Sequence, residues 1–300
     1  MNAMSVIRLG LARGGIELRH TFTYLPDLLV GLFIPLIQIL VLFLMRGHRV
    51  PGTTFSLGSL TLPSIIGVSF AFGGMIGVAA LLMTDREDGT LLRAKATPSG
   101  MSAYVLGRIT LASAITLIGL VLTLVLGLVA FPGVSLTAGG AGTLVWVAVL
   151  GLLATIPLGI TLGSLIPNPR FFALVMLPFG GLVALSGIFY PITHLAGWLQ
   201  GIGQVFPMYW LGLGMRAALL PSGLASVEID GSWRLPYVFL ALTLWAVLGL
   251  AAAPPVLRRM ARRESGSRVA ARRERAFGCL PETVREGIDR SPESARRRAR

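Results

Sequence analysis

Long apolar runs separated by short polar segments fill most of the chain, and this pattern predicts membrane-spanning helices. A helix rises about 1.5 Å per residue, so about 20 apolar residues cross the roughly 30 Å hydrocarbon core of a bilayer. The loops are too short to cover the runs with a polar shell, which argues against buried helices of a water-soluble protein. Six runs are long enough, at approximately Leu28–Met45, Leu60–Met83, Tyr104–Phe131, Gly142–Ile166, Phe171–Tyr190 and Leu235–Leu257. The sequence therefore predicts an all-α polytopic membrane protein with six transmembrane helices.

The composition agrees with this prediction. The chain is 54% hydrophobic and only 13% charged, whereas soluble domains are about 25% charged. The net charge of +13 raises the possibility of nucleic-acid binding. The basic residues, however, lie between the apolar runs and in the C-terminal segment, where membrane proteins carry them. This distribution indicates that the chain contacts a lipid bilayer and does not bind nucleic acid.

The positions of lysine and arginine predict that both termini are cytoplasmic, because cytoplasmic loops are enriched in these residues. With the N-terminus inside, 22 of the 26 basic residues fall on the cytoplasmic side. The other four are Arg46, Arg49, Arg216 and Arg234. We therefore expect a multi-pass protein of the cell (plasma) membrane with cytoplasmic N- and C-termini.

Two segments flank the six spans of residues 28–257. Residues 1–27 alternate apolar and basic side chains, which is typical of an amphipathic helix at the cytoplasmic membrane interface. Gly10, Gly14 and Gly15 are expected to weaken this helix. Residues 258–300 contain fourteen arginines and six acids with few aliphatic residues. This composition predicts a disordered cytoplasmic tail or one that lies along anionic lipid.

A third segment, residues 191–221, is predicted to lie on the extracellular side. It contains Trp198, Tyr209 and Trp210, whose side chains prefer membrane interfaces, and it is interrupted by Pro207. It is too long for a simple loop and too irregular for a span. We expect a re-entrant or surface helical hairpin.

The sequence lacks the motifs of an enzyme. Lys95 is the only lysine and lies between two alanines, so the chain has no nucleotide-binding Gly-Lys-Ser/Thr loop. His20, His48 and His194 are scattered and do not have zinc-ligand spacing. The prediction is a chain with no catalytic, cofactor-binding or metal-binding residues.

Polar residues inside the predicted spans are few. All thirteen acids lie outside the spans, which argues against a proton- or sodium-coupled carrier. The best polar candidates are expected to pack or to bond the backbone rather than to bind ions; they are Gln38, Ser69, Thr116, Thr155 and Thr161.

The loop after the second span carries the densest charge between two spans. Thr84 and Glu87 have the spacing of a capping box, which predicts that a short helix begins at Thr84. Acids at its start and bases at its end suit the helix dipole, and Pro98 would stop it. We expect a charged cytoplasmic helix at about residues 84–98, held at the surface by Leu91 and Leu92.

This loop resembles the signature of the type-2 ABC exporter permeases, which include bacterial drug, antibiotic and polysaccharide exporters. The matching residues are Asp85, Arg86, Glu87, Gly89, Thr90, Leu91 and Pro98, in the family's order. Further landmarks match after Tyr104 and before the last span: Gly107, Arg108, Gly187, Pro191, Trp198, Pro207 and Arg216. Gly197 and Met208 depart from the family's usual residues, and the Arg-rich tail is not a family feature.

The resemblance implies that residues 84–98 form a coupling helix, which docks on a separate ATP-binding cassette subunit through Glu87. ATP and Mg²⁺ would bind in that partner and not in this chain. The permease would pair with a second copy of itself or with a sister permease. An uncharged cavity favours a hydrophobic or amphipathic small-molecule cargo, such as a drug or antibiotic. A polysaccharide or lipid exporter, an ATP-independent carrier or channel, and a non-transport scaffold are the alternatives.

Overall fold

The computed structural model describes residues 3–48, 56–97, 100–131, 133–166, 171–188, 190 and 192–263, and it is built from helices. A π-helical turn at Ala71–Gly77 joins the third helix to the fourth without a break. The helices are α1 Ala3–Thr23, α2 Leu25–Met45, α3 Leu57–Phe70, α4 Val78–Glu87, α5 Thr90–Lys95, α6 Gly100–Ala130, α7 Ala138–Leu165, α8 Phe172–Leu185, α9 Gly197–Val205, α10 Pro207–Leu219 and α11 Leu235–Arg263.

Four helices of the described structure are long and apolar enough to cross a membrane. They are Leu57–Glu87, Gly100–Ala130, Ala138–Leu165 and Leu235–Arg262, and each contains one predicted span nearly whole. Shorter apolar helical stretches, Pro35–Met45 and Met176–Leu185, fall within the first and fifth predicted spans. The prediction of a helical membrane protein is therefore confirmed, with four candidate spans by length and composition.

Helices α3, α7 and α10 form the centre of the fold. Their backbones approach closely, since a Cβ atom on Gly67 of α3 would lie 2.7 Å from the backbone nitrogen of Gly212 in α10. Tyr209, Leu211 and Leu213 of α10 are fully buried. A surface position is therefore wrong for α10, although α9, which precedes it across Pro207, leaves Trp198 exposed.

Helix α1 packs along the first turns of α6, and its glycines explain how. A Cβ atom on Gly10 would lie 2.5 Å from the Cβ of Leu106, and one on Gly14 would lie 2.7 Å from the Cβ of Thr110. Gly10 and Gly14 permit this close contact with α6, whereas a Cβ on Gly15 would meet no atom within 4 Å; the expected low helix propensity applies to all three. The large side chains Ile7, Leu11 and Ile16 point away from the protein.

Helix α11 continues beyond the predicted span and ends at Arg263. Met260 and Ala261 are buried, and the Lys95 Nζ atom donates a hydrogen bond of 2.6 Å to the carbonyl oxygen of Ala261. The first residues of the segment predicted as a disordered tail are therefore helical, because they find an apolar surface to cover. Residues 264–300 lie outside the described structure.

Segments predicted to share one side of the membrane meet in space. The Arg86 side chain bonds the end of α7, Lys95 bonds the end of α11, and α1 lies beside the start of α6. At the opposite end, the backbone nitrogen of Ser135 donates to the carbonyl of Leu219 at 3.1 Å. These connections between helices thus lie at the two ends of the helix bundle, as expected when the helices span a membrane.

Candidate functional site

The charged loop after the second predicted span is a helix end, a tight turn and a new short helix. The capping box predicted at Thr84 is absent, since the Thr84 hydroxyl donates to the carbonyl of Ala80 at 3.2 Å and α4 continues to Glu87. Gly89 has φ 75°, a left-handed conformation that only glycine adopts readily and that commonly ends helices. This glycine outweighs the capping signal, so α5 begins at Thr90 instead of Thr84.

One face of α5 is buried in an apolar core. Leu91 is only 1% exposed, and Ala94 is also buried. They pack in a cluster with residues of α4, α6, α7 and α11, among them Leu82 and Leu257. Leu92 is half-buried. The predicted role of Leu91 in holding the short helix is therefore seen directly, and the core it enters joins four helices.

The opposite face of this region carries exposed charges. Glu87 and Asp88, in the turn, are exposed, and so are Arg93 and Lys95 of α5. Arg93 Nη2 donates to the Thr90 hydroxyl at 3.0 Å, which fixes its direction. We call the set Glu87, Asp88, Arg93 and Lys95 the charged turn face. It combines charge of both signs on a rigid support, which suits recognition by another protein.

Asp85, just before the turn, points inward. Its side chain is 6% exposed, and its carboxylate accepts hydrogen bonds from the Tyr104 hydroxyl at 2.5 Å and from Arg108 Nε at 2.7 Å. Arg108 Nη2 donates to the second carboxylate oxygen. The guanidinium thus binds both oxygens of Asp85, a geometry that combines charge with fixed orientation.

The same arginine connects this site to α1. Arg108 Nη1 donates to Glu17 Oε2 at 2.7 Å, and Arg13 Nε donates to Glu17 Oε1 at 3.0 Å. The Arg13 guanidinium lies 5.0 Å from the centre of the Tyr104 ring, within cation–π range. Three helices distant in sequence, α1, α4 and α6, are therefore joined by one network, which we call the Asp85 network: Arg13, Glu17, Asp85, Tyr104 and Arg108.

Arg86 also turns inward and ties the loop to a fourth helix. Its Nη1 atom donates to the carbonyl of Ile166 at 2.8 Å, at the end of α7. The residues predicted to contact a partner subunit therefore divide into two groups. Asp85, Arg86, Gly89 and Leu91 are buried within this chain, while Glu87 is exposed and Thr90 is half-buried. Pro98 lies outside the described residues.

The remaining landmarks have structural positions of their own. Gly107 lies under the Arg13 side chain, since a Cβ there would be 3.1 Å from Arg13 Cδ. Gly187 has φ 65° in the turn after α8. Pro207 is the first residue of α10, a position where its missing N–H costs no hydrogen bond. Trp198 is exposed on α9, and Pro191 lies outside the described residues.

Arg216 forms a buried ion pair at the opposite end of the molecule. Its Nε atom lies 2.9 Å from Glu228 Oε1, and both side chains are 2% exposed. Its Nη1 atom donates to the Ser64 hydroxyl at 2.6 Å. The sequence reasoning missed Glu228 as the partner. An arginine in an apolar segment requires a counter-charge, and Glu228 and Asp230 are the only acids on its predicted side.

The sequence reasoning also missed Glu17. The signal was present in the predicted topology, since Glu17, Asp85 and Arg108 all lie on the predicted cytoplasmic side near the ends of apolar runs. Across the ranges that the structure describes, no group of three or more His, Cys, Asp or Glu residues is arranged to hold a metal ion. This end of the molecule carries the exposed charges of the charged turn face.

The comparisons with known proteins concern the family of the chain. A family model described as ABC-2 type transporter matches residues 19–220, which is more than half of the chain. The match includes the charged turn face, most of the Asp85 network and Arg216. No curated protein matches the sequence.

Proposed function

The chain belongs to the ABC-2 type transporter family, and on that basis we propose that it is the membrane-spanning permease subunit of an ATP-driven exporter. The observation that carries the proposal is the position of the charged turn face, which is exposed and is held by a long helix bonded to its neighbours. Glu87 is exposed at the end of a continuous helical rod that begins at Leu57. A partner that moves this turn moves the whole rod, because a helix transmits displacement along its axis.

The support of the charged turn face is rigid because it is attached at several points. Asp85 is bound by Arg108 and Tyr104, Arg86 reaches α7 and Lys95 reaches α11. A flexible loop would absorb the motion of a partner. These attachments instead distribute it to α1, α6, α7 and α11, which is the behaviour that coupling to an ATP-binding subunit requires.

We propose that six helices span the membrane: the four long apolar helices together with α2 and α8. The 21 residues of α2 are long enough for a crossing at about 1.5 Å per residue, whereas the 14 residues of α8 are short, and local bilayer thinning would accommodate them. The arginine distribution favours cytoplasmic termini, so the charged turn face would lie in the cytoplasm of a cell with this protein in its plasma membrane. Helix α1, with exposed Ile7, Leu11 and Ile16, would contact the membrane interface.

The functional assembly in this proposal contains two permeases and two ATP-binding cassette subunits. The second permease is another copy of this chain or a sister subunit. ATP with Mg²⁺ binds in the cassette subunits, and their closure displaces the charged turn face of each permease. The low charge of the spans favours a hydrophobic or amphipathic small-molecule cargo, with a drug or antibiotic as the first candidate class and a lipid or polysaccharide as the second.

Affinity purification of the tagged full chain in mild detergent tests this proposal. Wild type should bring down an ATP-binding cassette protein, and the eluate should hydrolyse ATP. The variant Glu87→Lys should lose the partner or its stimulated ATPase activity at least tenfold, because it reverses the charge of an exposed contact; each tenfold loss is about 1.4 kcal/mol.

The matched control is Asp230→Asn, which removes an exposed carboxylate at the opposite end of the molecule. Asn tolerates the φ of 60° found at this position. This control should retain the partner and the activity. If neither wild type nor the control brings down a nucleotide-binding protein, the exporter proposal fails, and gradient-driven transport by an independent carrier becomes the next hypothesis to measure.

A further inference from the structure

A cavity of about 390 Å³ lies between α2, the π-helical turn and α6, with Met176 of α8 at its edge. Its volume falls within the range of small-molecule sites, about 300–1,000 Å³. No acidic or basic side chain lines it. The wall from the π-helical turn includes Gly73, and the α6 wall includes Thr116 and Gly119. Wide π turns often occur at functional positions in helices.

The cavity has one polar corner. The Ser69 hydroxyl lies 3.2 Å from Gln38 Oε1, to which it donates, and 2.8 Å from the carbonyl of Ile65. Thr116 is 5% exposed, and its Oγ1 atom has no hydrogen-bond partner among the residues that the structure describes. Buried hydroxyls are normally bonded, so Thr116 retains unused hydrogen-bonding capacity at the wall of the cavity, where its Oγ1 atom lies next to Gly73.

The buried hydroxyls of Thr61, Ser164 and Thr243 also lack a partner among the described residues, but of these four only Thr116 lines the cavity. Two other threonines of the predicted spans are bonded. Thr155 Oγ1 donates to the carbonyl of Gly151 at 2.7 Å, and Thr161 Oγ1 donates to that of Pro157 at 2.9 Å. Both therefore satisfy themselves on their own helix, as the sequence reasoning expected for all five polar candidates. Ser69 also bonds its own helix, at the carbonyl of Ile65, so only Thr116 of the five candidates has a buried hydroxyl without a partner among the described residues.

The depth of the polar corner identifies the kind of occupant. Thr116 lies near the middle of the helix Gly100–Ala130, about 20 Å from either end at 1.5 Å per residue. A membrane lipid places its polar headgroup at the interface and only hydrocarbon at mid-depth. A hydrocarbon chain offers no hydrogen bond to Thr116. A small molecule with a polar group within an apolar body offers one.

We propose that this cavity binds an uncharged amphipathic cargo inside a single permease, with the Thr116 hydroxyl as its hydrogen-bond partner. The inference rests on the proposed transport function and specifies its substrate class. All of the lining residues belong to this one chain, so a single subunit supplies the walls of the site. Gln38 and Ser69 supply a second polar contact, and the π-helical turn supplies the apolar wall.

Photoaffinity labelling of the purified full chain in lipid nanodiscs tests this site. The probe is an uncharged medium-chain aliphatic alcohol that carries a diazirine. Adducts should concentrate in peptides covering residues 69–77 and 115–123. The variant Thr116→Val keeps the shape and removes the hydroxyl, so saturable labelling should fall about fivefold, the size of one typical net hydrogen bond.

A second variant fills the cavity. Gly119 lines the cavity, and a Cβ atom there would meet no atom within 4 Å. The side chain of Gly119→Leu therefore starts in open space, and we expect it to occupy the cavity and abolish labelling. The matched control is Gly142→Leu on α7, where a Cβ also meets no atom within 4 Å and which does not line the cavity. This control should label as wild type does.

A phospholipid with the same diazirine in its acyl chain distinguishes the other source of an apolar occupant. If it labels the same peptides and Thr116→Val changes nothing, the cavity holds lipid and the proposal is overturned. Labelling needs no ATPase. If the chain brings down an active ATP-binding cassette protein but is not labelled, only the cargo site is rejected. If labelling is localised to these peptides but no cassette protein is brought down, the exporter proposal is rejected and the binding site stands.

Discussion

Two arginine–carboxylate pairs, Arg108–Asp85 and Arg216–Glu228, lie at opposite ends of the described structure. The Arg108 and Asp85 side chains are 14% and 6% exposed, and Asp85 accepts hydrogen bonds from both Arg108 and Tyr104. Arg108 also reaches Glu17. The Arg216–Glu228 pair is sealed at 2% exposure. Beside it, Glu228 Oε2 and the Tyr209 hydroxyl have no partner among the described residues.

The difference concerns what each pair can tolerate. A charge shared by several partners near water stays satisfied when one helix shifts against another. A sealed pair has no substitute partner, and separating it leaves a charge in an apolar surrounding. The Asp85 network can therefore stay bonded through a small shift between α1, α4 and α6, and the Arg216–Glu228 pair is suited to holding α3, α10 and the loop before α11 in one arrangement.

The largest effect is expected at the sealed pair. Arg216→Met should lower the free energy of unfolding by about 3–5 kcal/mol, because it leaves Glu228 buried without a counter-charge. Unfolding in mixed micelles with increasing SDS measures this loss. The double variant Arg216→Met with Glu228→Gln should recover more than half of it. A double variant as unstable as the single one would show that packing, and not charge, dominates at this end.

A smaller effect is expected in the Asp85 network. Arg108→Gln should cost about 1.5–3 kcal/mol, the range for hydrogen bonds to charged groups, because Tyr104 still bonds Asp85 and water can approach. The same SDS titration measures it. Protease should also cut α1 faster in this variant, since Glu17 loses its link to α6. A loss as large as that of Arg216→Met would mean that the two ends do not differ as described.

The smallest effect concerns the contact that brings α1 to the network. Gly14→Ala should destabilise the protein by about 1 kcal/mol, the lower end of the cost of overpacking. A Cβ there lies 2.7 Å from Thr110 Cβ and 2.9 Å from the carbonyl oxygen of Gly107. The matched control is the next residue, Gly15, because a Cβ atom there would meet no atom within 4 Å.

Gly15→Ala should stabilise the protein by about 0.5–1 kcal/mol through helix propensity alone. Thermal unfolding of both variants in the same detergent provides the measurement. Equal changes of the unfolding temperature in the same direction would show that α1 does not pack on α6 in detergent. The Asp85 network would then not include α1.

The hydrophobic pattern was enough to predict the four long apolar helices of the described structure, since a long apolar run forms a helix in a bilayer. Local signals were less reliable where two of them competed. Thr84 and Glu87 have capping-box spacing, yet Gly89 a few residues later sets the helix boundary. Gly10 and Gly14 look unfavourable for a helix until α6 is placed against them.

Contacts between distant residues could be narrowed but not assigned from the sequence. Arg108 donates a hydrogen bond to Glu17, 91 residues away, and Arg216 forms an ion pair with Glu228 across a loop. Charge counting in the predicted topology reduces the candidates to a few acids, but only the packing of the helices selects among them. The cavity at Thr116 was equally out of reach, because it depends on three helices and on a π turn that no local pattern announces.

That π turn, Ala71–Gly77, also sets the rotational phase of the rod that contains it. Each residue of an α-helix advances the chain by about 100°, so the wider turn changes the direction in which the side chains beyond it point. Before the turn, α3 faces α10; after it, α4 faces α7. Deleting one residue within the turn would restore a regular α-helix. Asp85 and Glu87 would then rotate about the helix axis away from their present directions, although the side chains within α3, and those within α4, would keep their positions relative to one another.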